Sequence, residues 1–300
     1  MTDNDYLIFL NGYLINLKNN WQKSRLLITV NEGGTAMTKI NTKHPAGTFC
    51  WAELCAKDWQ AAKQFYTQLF DWGFDDQPIG EDMYYTMLQK QGDDIAAMYQ
   101  LPASMSEMPT HWLLYIAVDD VDQSTELAKS LGATVVAGPH DVMTAGRMVM
   151  LQEPGGATFA LWQAGEHIGA KRVQELNLPY WFELVSKDMQ KSRDFYCQLF
   201  GWQFEVKPME GMDYTLFTID EQPIAGMLEM TDEWPDDIPP HWMPYFAVAD
   251  CDQAVAKATQ LNGAICVPAT DIPDVGRFSV ITDPQGAVFS ILKSTIDELT

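Results

Sequence analysis

The sequence predicts an α+β protein made of two tandem copies of one domain, each copy a pair of βαβββ units. Two sets of observations carry this. The first is an internal repeat, the feature to seek before any other. Asp58, Phe65, Tyr66, Leu69, Phe70 and Trp72 recur 130 residues on as Asp188, Phe195, Tyr196, Leu199, Phe200 and Trp202. At the same shift His111, Trp112 and Tyr115 become His241, Trp242 and Tyr245, Gly146-Arg147 becomes Gly276-Arg277, and Glu153-Pro154 becomes Asp283-Pro284. The second is that each copy itself reads twice as strand, helix, then three short strands.

The elements follow in order. Residues 51–56 alternate between two faces, the period of a strand. Asp58 then caps a helix, its carboxylate accepting from free first-turn amides. Ala62, Phe65, Tyr66 and Leu69 share one face at helical spacing, with Gly73 after the end. Short strands are expected near 73–77, 83–89 and 94–100, then a loop from Pro102 to Pro109. The second unit opens with a strand from His111 to Val118. A helix starts at Asp120-Val121-Asp122 and ends at Leu131-Gly132-Ala133. Strands near 134–137, 147–152 and 157–162 complete the copy. The expected layout is an N-terminal extension over 1–43, a first domain over 44–164, a linker over 165–173 and a second domain over 174–300.

Residues 1–36 match nothing later in the chain. Glu32-Gly33 codons necessarily contain a purine-rich ribosome-binding sequence at a plausible distance before Met37. The expectation is that Met37 starts the protein and that 1–36 is translated leader; a real extension is the alternative. The apolar stretch from Tyr6 to Leu17 is broken by Asn11, Gly12 and Asn16 and lacks the basic start of a secretory signal. No run is long enough to span a membrane.

With 47% apolar and 20% charged residues, the chain is globular rather than disordered. A net charge of −22 repels nucleic acid and anionic membrane surfaces, so neither is an expected partner. Cys50, Cys55, Cys197, Cys251 and Cys266 form no CxxC pair, and their odd number favours reduced thiols in a cytoplasmic setting. No phosphate loop, HExxH helix or Ser/His/Asp order appears. Asp232-Glu233-Trp234-Pro235-Asp236-Asp237 reads as a solvated acidic loop.

The ordered set of Asp58…Phe65-Tyr66…Leu69-Phe70…Trp72, Val118 to Asp122 with Leu131-Gly132-Ala133, and Glu153-Pro154-Gly155-Gly156, present twice, resembles the vicinal-oxygen-chelate superfamily (glyoxalase, bleomycin resistance protein, extradiol dioxygenase). The resemblance covers nearly all of 44–293. It implies that paired units curve into a cup that holds a small ligand, often with a divalent metal. It also implies metal ligands at three strand positions per copy. Those positions here are Trp51, Leu113 and Ala160, then Trp181, Met243 and Ser290. None is a competent hard-metal ligand, Ser290 being poor alone. No cofactor is therefore expected, although a divalent metal shifted onto Glu53 with His111, or Glu183 with His241, is an alternative.

Strand alternation assigns the cup faces. Trp51, Glu53, Cys55, His111, Leu113, Tyr115, Thr158, Ala160 and Trp162 face the first cup. Trp181, Glu183, Val185, His241, Met243, Tyr245, Val288, Ser290 and Leu292 face the second. Glu53, His111, Glu183 and His241 are the candidate catalytic residues. Trp51, Tyr115, Trp162, Trp181 and Tyr245 are the candidate ligand-binding residues. A carboxylate walled by tryptophan should titrate high, which suits a general base or acid near neutral pH. Other readings stay open: His111 and His241 as strand-entrance caps, or Glu53 and Glu183 ion-paired with Arg147 and Arg277. His44, His140 and His167 have no counterpart in the other copy, so no role is expected of them.

Three functions compete: an acid/base enzyme acting on a small molecule as a lyase, isomerase or oxygenase; a non-catalytic binding or resistance protein; and a metal-dependent lyase or dioxygenase. The partner in each is a small molecule, and the protein is expected to be a monomer or homodimer.

Overall fold

The computed structural model describes residues 39–295 and 299, apart from 82, 103, 104, 106, 210, 211, 232, 233 and 235–237. The expected leader and most of the acidic loop lie outside the described residues.

The first half runs β1 (Phe49–Ala56), α1 (Trp59–Phe70), β2 (Gly73–Gly80), β3 (Met83–Lys90), β4 (Asp93–Gln100), β5 (His111–Ala117), α2 (Val121–Ser130), β6 (Thr134–Val142), β7 (Gly146–Gln152) and β8 (Thr158–Ala164). The second repeats it as β9 (Pro179–Ser186), α3 (Met189–Phe200), β10 (Gln203–Met209), β11 (Met212–Ile219), β12 (Gln222–Glu229), β13 (His241–Ala247), α4 (Cys251–Gln260), β14 (Ala264–Ile272), β15 (Gly276–Thr282) and β16 (Val288–Ser294). Each half is one eight-stranded mixed sheet, ordered β2-β3-β4-β1-β5-β8-β7-β6 and β10-β11-β12-β9-β13-β16-β15-β14. The first strands of the two units, β1 and β5, lie antiparallel at the centre, and each pairs in parallel with the last strand of its own unit.

Each helix starts where an aspartate leaves the extended strand. Asp58, Asp120, Asp188 and Asp250 accept from the amides of Ala61, Gln123, Lys191 and Gln253. This satisfies a first-turn donor that the helix itself cannot. Two outer strands run further than the turn residues suggested. β2 passes through Pro78, and β6 passes through Gly138-Pro139 with its register slipping between Ala137 and His140. Both lie at sheet edges, where a missing N–H breaks no ladder.

The two sheets share one interior. Ala52, Leu54, Trp112, Leu114, Ile116, Phe159 and Leu161 of the first half join Leu184, Trp242, Phe246, Phe289 and Ile291 of the second in a single buried cluster with the helices. The rings of Phe49 and Phe182 stack at 4.1 Å across the seam. Phe70 of α1 packs on Phe246 at 4.8 Å, and Phe159 of β8 on Tyr196 of α3 at 5.4 Å. Each such ring contributes about 1.5–3 kcal/mol on burial. Polar groups tie the same seam. Trp72 Nε1 donates to Asn177 O at 2.7 Å, Trp202 Nε1 to Gly47 O at 2.9 Å, and the Tyr66 hydroxyl to Asp283 at 3.1 Å. Among the described residues no helix is long and apolar enough to cross a membrane.

Candidate functional site

The alternation in β1 and β5 leaves one face for the shared interior and one for a separate cluster. Trp51, Cys55, Leu113, Tyr115, Ala160 and Trp162 meet in that second cluster, on the face turned away from the shared interior. In the other half Met243, Tyr245, Phe278, Val280 and Leu292 do the same, with Trp181 against them.

Glu53 stands at the centre of the first cup. Cross-strand register puts it beside Leu113 on one side and Ala97 on the other. Its carboxylate is held by two phenols. The Tyr115 hydroxyl donates to Oε1 at 3.1 Å, and the Tyr85 hydroxyl to Oε2 at 2.6 Å. Trp51 Nε1 donates in turn to the Tyr85 oxygen at 3.2 Å. Tyr85 lies on β3, two strands from β1, opposite Tyr99 of β4, so its hydroxyl reaches Glu53 across an intervening strand. The second cup repeats the arrangement. Tyr245 donates to Glu183 Oε1 at 2.7 Å, Tyr214 to Oε2 at 3.2 Å, and Trp181 Nε1 to the Tyr214 oxygen at 3.1 Å. There the crossing point is Gly226, and a Cβ added to it would lie 1.7 Å from the Tyr214 hydroxyl.

Glu53 and Glu183 are 6% and 5% exposed. Burial pushes both carboxyls up, against the opposing pull of their tyrosine hydroxyls. For Glu183 the result is a pKa of about 7.

The expected histidine partnership is not formed. His111 and His241 lie opposite Cys55 and Val185, two residues further along the neighbouring strand than the glutamates. Each turns Nδ1–H back to a proline carbonyl, Pro109 at 2.9 Å and Pro239 at 2.8 Å. Burial lowers the pKa of His241. The arginine pairing is also absent. Arg147 bonds Asp122 and Asp141, and Arg277 bonds Asp252 and Asp271, because each arginine sits on an outer strand facing an aspartate of its own hairpin.

The residues at the family's metal positions do not fit a hard divalent ion. Trp51 and Trp181 present only N–H donors, already used. Leu113 and Ala160 are apolar and fully buried. Ser290 donates to the Met243 sulfur at 3.4 Å. Among the described residues no three His, Cys, Asp or Glu side chains gather as a metal site.

Sequence reasoning missed Tyr85 and Tyr214. The repeat slips by one residue before β11, and a register-by-register comparison of the third strands would have paired them. It also set aside His167, whose ring packs edge-on against Trp51 at 4.6 Å and near Trp162 at 5.9 Å. Trp162 Nε1 donates to the His167 carbonyl at 3.0 Å, and burial lowers the His167 pKa to about 4. Thus a linker residue forms part of the first cup's wall. Trp51 and Trp181 also line a cavity of about 320 Å³ at the seam between the halves.

The model of the Glyoxalase/Bleomycin resistance protein/Dioxygenase superfamily matches residues 48–161 and again 179–291. The chain belongs to this superfamily. Superfamily members similar to it include the Mycobacterium bovis protein CFP32, provisionally named a glyoxylase, at 38% identity over 255 residues, 84% of this chain and 97% of that one. The anthracycline biosynthesis protein DnrV of Streptomyces peucetius is 32% identical over 267 residues, 84% of this chain and 95% of that protein. Among solved structures, the Mn(II)-bound glyoxalase from Novosphingobium aromaticivorans aligns with a TM-score of 0.59 at 18% identity, covering 85% of this chain and 84% of that one. The 2,3-dioxygenase LapB of Pseudomonas aligns at 0.57 and 12%, covering 82% and 92%. These two share the superfamily's fold with it.

Proposed function

We propose that the protein binds a small organic molecule in its two aromatic cups and recognises it at the Glu53 and Glu183 carboxylates. One observation carries this reading. The same glutamate, two tyrosines and tryptophan are brought together from three strands in each half, although local sequence around them differs. A buried carboxylate is a poor way to hold a core together, since burying its charge costs several kcal/mol. Apolar walls with a few placed polar groups are the usual form of a ligand site. The name of the Streptomyces relative supports testing anthracycline-type aromatic compounds first.

The reading includes a cup that works without a resident metal, supported by the donor chemistry at the six family positions. It places the protein in the cytoplasm, as a monomer or homodimer with no nucleic-acid or membrane partner, in keeping with its charge of −22. A second reading, an acid/base enzyme, is favoured by the Glu183 pKa of about 7, which suits proton transfer near neutral pH.

The test is a calorimetric titration of candidate aromatic compounds into the native protein and into the Glu53→Gln/Glu183→Gln variant. Saturable binding that weakens at least tenfold in the variant is expected. Chemical conversion of the ligand that is lost in the variant would favour the enzyme. Binding indifferent to both substitutions would refute the site. Near-stoichiometric metal in protein purified without chelators, with a raised melting temperature on metal addition, would refute the metal-free reading.

A further inference from the structure

We infer, resting on the cup reading above, that the ligand carries an ammonium group and delivers it to the glutamate of the cup. The first ground is a missing counter-ion. Both carboxylates are almost fully buried, yet among the described residues each is met only by phenol hydroxyls. No lysine or arginine among the described residues pairs with either carboxylate, and those of the neighbouring strands pair with other acids: Lys90 with Glu175, and Arg277 with Asp252 and Asp271. A buried carboxylate must stay protonated or acquire a cation. Each oxygen accepts one tyrosine hydrogen bond, which leaves a further acceptor site for an N–H.

The second ground is the wall. Trp51 and Tyr115, or Trp181 and Tyr245, belong to the same cup as the acid, and an aromatic face there attracts a cation with about 0.5–2 kcal/mol. The same two features reject other classes. An anion would meet the glutamate and the negative ring faces. A neutral molecule would leave the carboxylate without a counter-charge. The recurrence of the glutamate, both tyrosines and the tryptophan in each half makes a chance packing accident a poor account. The ligand class is therefore an organic amine with an apolar or aromatic body. No covalent step is involved. If Glu183 is protonated when the ammonium arrives, one proton leaves to solvent on binding.

Three probes that share an indole ring separate the cases: tryptamine, a cation; indole-3-ethanol, neutral; and indole-3-acetate, an anion. Each is titrated into the full chain by calorimetry between pH 5 and pH 8. An alkylammonium stays charged across that range. Among the described residues, Tyr85, Tyr115, Cys55 and Tyr99 face Glu53, all pushed up by burial, and His111 and His167 share its cup, the latter lowered to about 4 by burial. Tyr214 and Tyr245 face Glu183, the latter also pushed up, and His241, lowered by burial, shares that cup. The glutamates' share of the pH response is the part that Glu53→Gln/Glu183→Gln removes. At pH 8 tryptamine is expected to bind at least tenfold more tightly than indole-3-ethanol, with indole-3-acetate weakest. The preference should shrink toward pH 5, and vanish in Glu53→Gln/Glu183→Gln. Should that variant not fold, the pH series is repeated on His111→Asn/His167→Asn/His241→Asn, and a preference that keeps its pH dependence there decides. Equal binding of cation and alcohol at pH 8, or a preference that ignores pH, overturns the amine inference and leaves the cup reading standing. Binding of none of the three at millimolar concentration overturns both.

Discussion

Replacing Tyr245 by Phe removes one oxygen from the second cup and leaves the ring in place. That oxygen donates to Glu183 at 2.7 Å from a side chain only 7% exposed. A hydrogen bond to a charged acceptor is worth about 1.5–3 kcal/mol, and one to a neutral acid about 1 kcal/mol. The penalty therefore depends on whether Glu183 is ionised. In the folded protein its pKa is about 7, against an ordinary 4.5. The folded state thus keeps a proton that the unfolded state has already lost. Stability contributed by this group is fully present below about pH 4.5 and is lost as pH rises to about 7. At about 1.4 kcal/mol per pH unit, the native protein loses roughly 3 kcal/mol across that window. Without the Tyr245 hydroxyl the carboxyl titrates about one unit higher, and the loss continues toward pH 8–9. The variant's deficit should be about 1 kcal/mol at pH 5.5 and about 2–3 kcal/mol at pH 9. Urea unfolding at both pH values, with equal m-values, measures it. Other titrating groups cancel in the difference. The same deficit at both pH values would show that Glu183 does not titrate between them.

Three further outcomes are expected. Glu183→Gln should raise stability at pH 8 by about 1–3 kcal/mol and leave pH 5 almost unchanged, since it removes an uncompensated buried charge; a fall in melting temperature at pH 8 would contradict this. Tyr66→Phe should cost about 1–3 kcal/mol in denaturant unfolding, because Trp112 Nε1 loses its acceptor and the Asp283 carboxylate a donor; a change below about 0.5 kcal/mol would refute the seam bond. Asp71→Gly should stabilise by about 0.5–1 kcal/mol, measured the same way. Asp71 ends α1 in the left-handed region at φ 58°, where Gly201 already serves α3 at φ 71°.

The sequence discloses a feature where a local pattern determines it. The alternation Trp51, Glu53, Cys55 against Ala52, Leu54, Ala56 sorted β1 into its two faces, and the caps at Asp58 and Asp120, with their repeat, marked the helix starts among the described residues. It conceals what depends on neighbours. Pro78 and Gly138-Pro139 look like strand ends until β2 and β6 are known to be edges. Glu53 meets Tyr85 across an intervening strand, a contact that no local pattern contains. His111 shares a face with Glu53, yet its ring closes on its own preceding turn. Arg147 was a plausible partner for Glu53 until β6 placed Asp141 directly opposite it. His167 lacked a repeat counterpart, and repetition was the filter that set it aside.

The single interior beneath both sheets separates two evolutionary burdens. Each half covers apolar surface of the other, so the two faces turned inward are constrained together. Pairs such as Phe49 with Phe182 and Tyr66 with Asp283 carry that obligation. The faces turned away from the shared interior are thereby released from that constraint. Trp162 against Leu292, Cys55 against Val185 and Ala97 against Gly226 are differences of this kind, all on the side that the shared interior leaves free to vary.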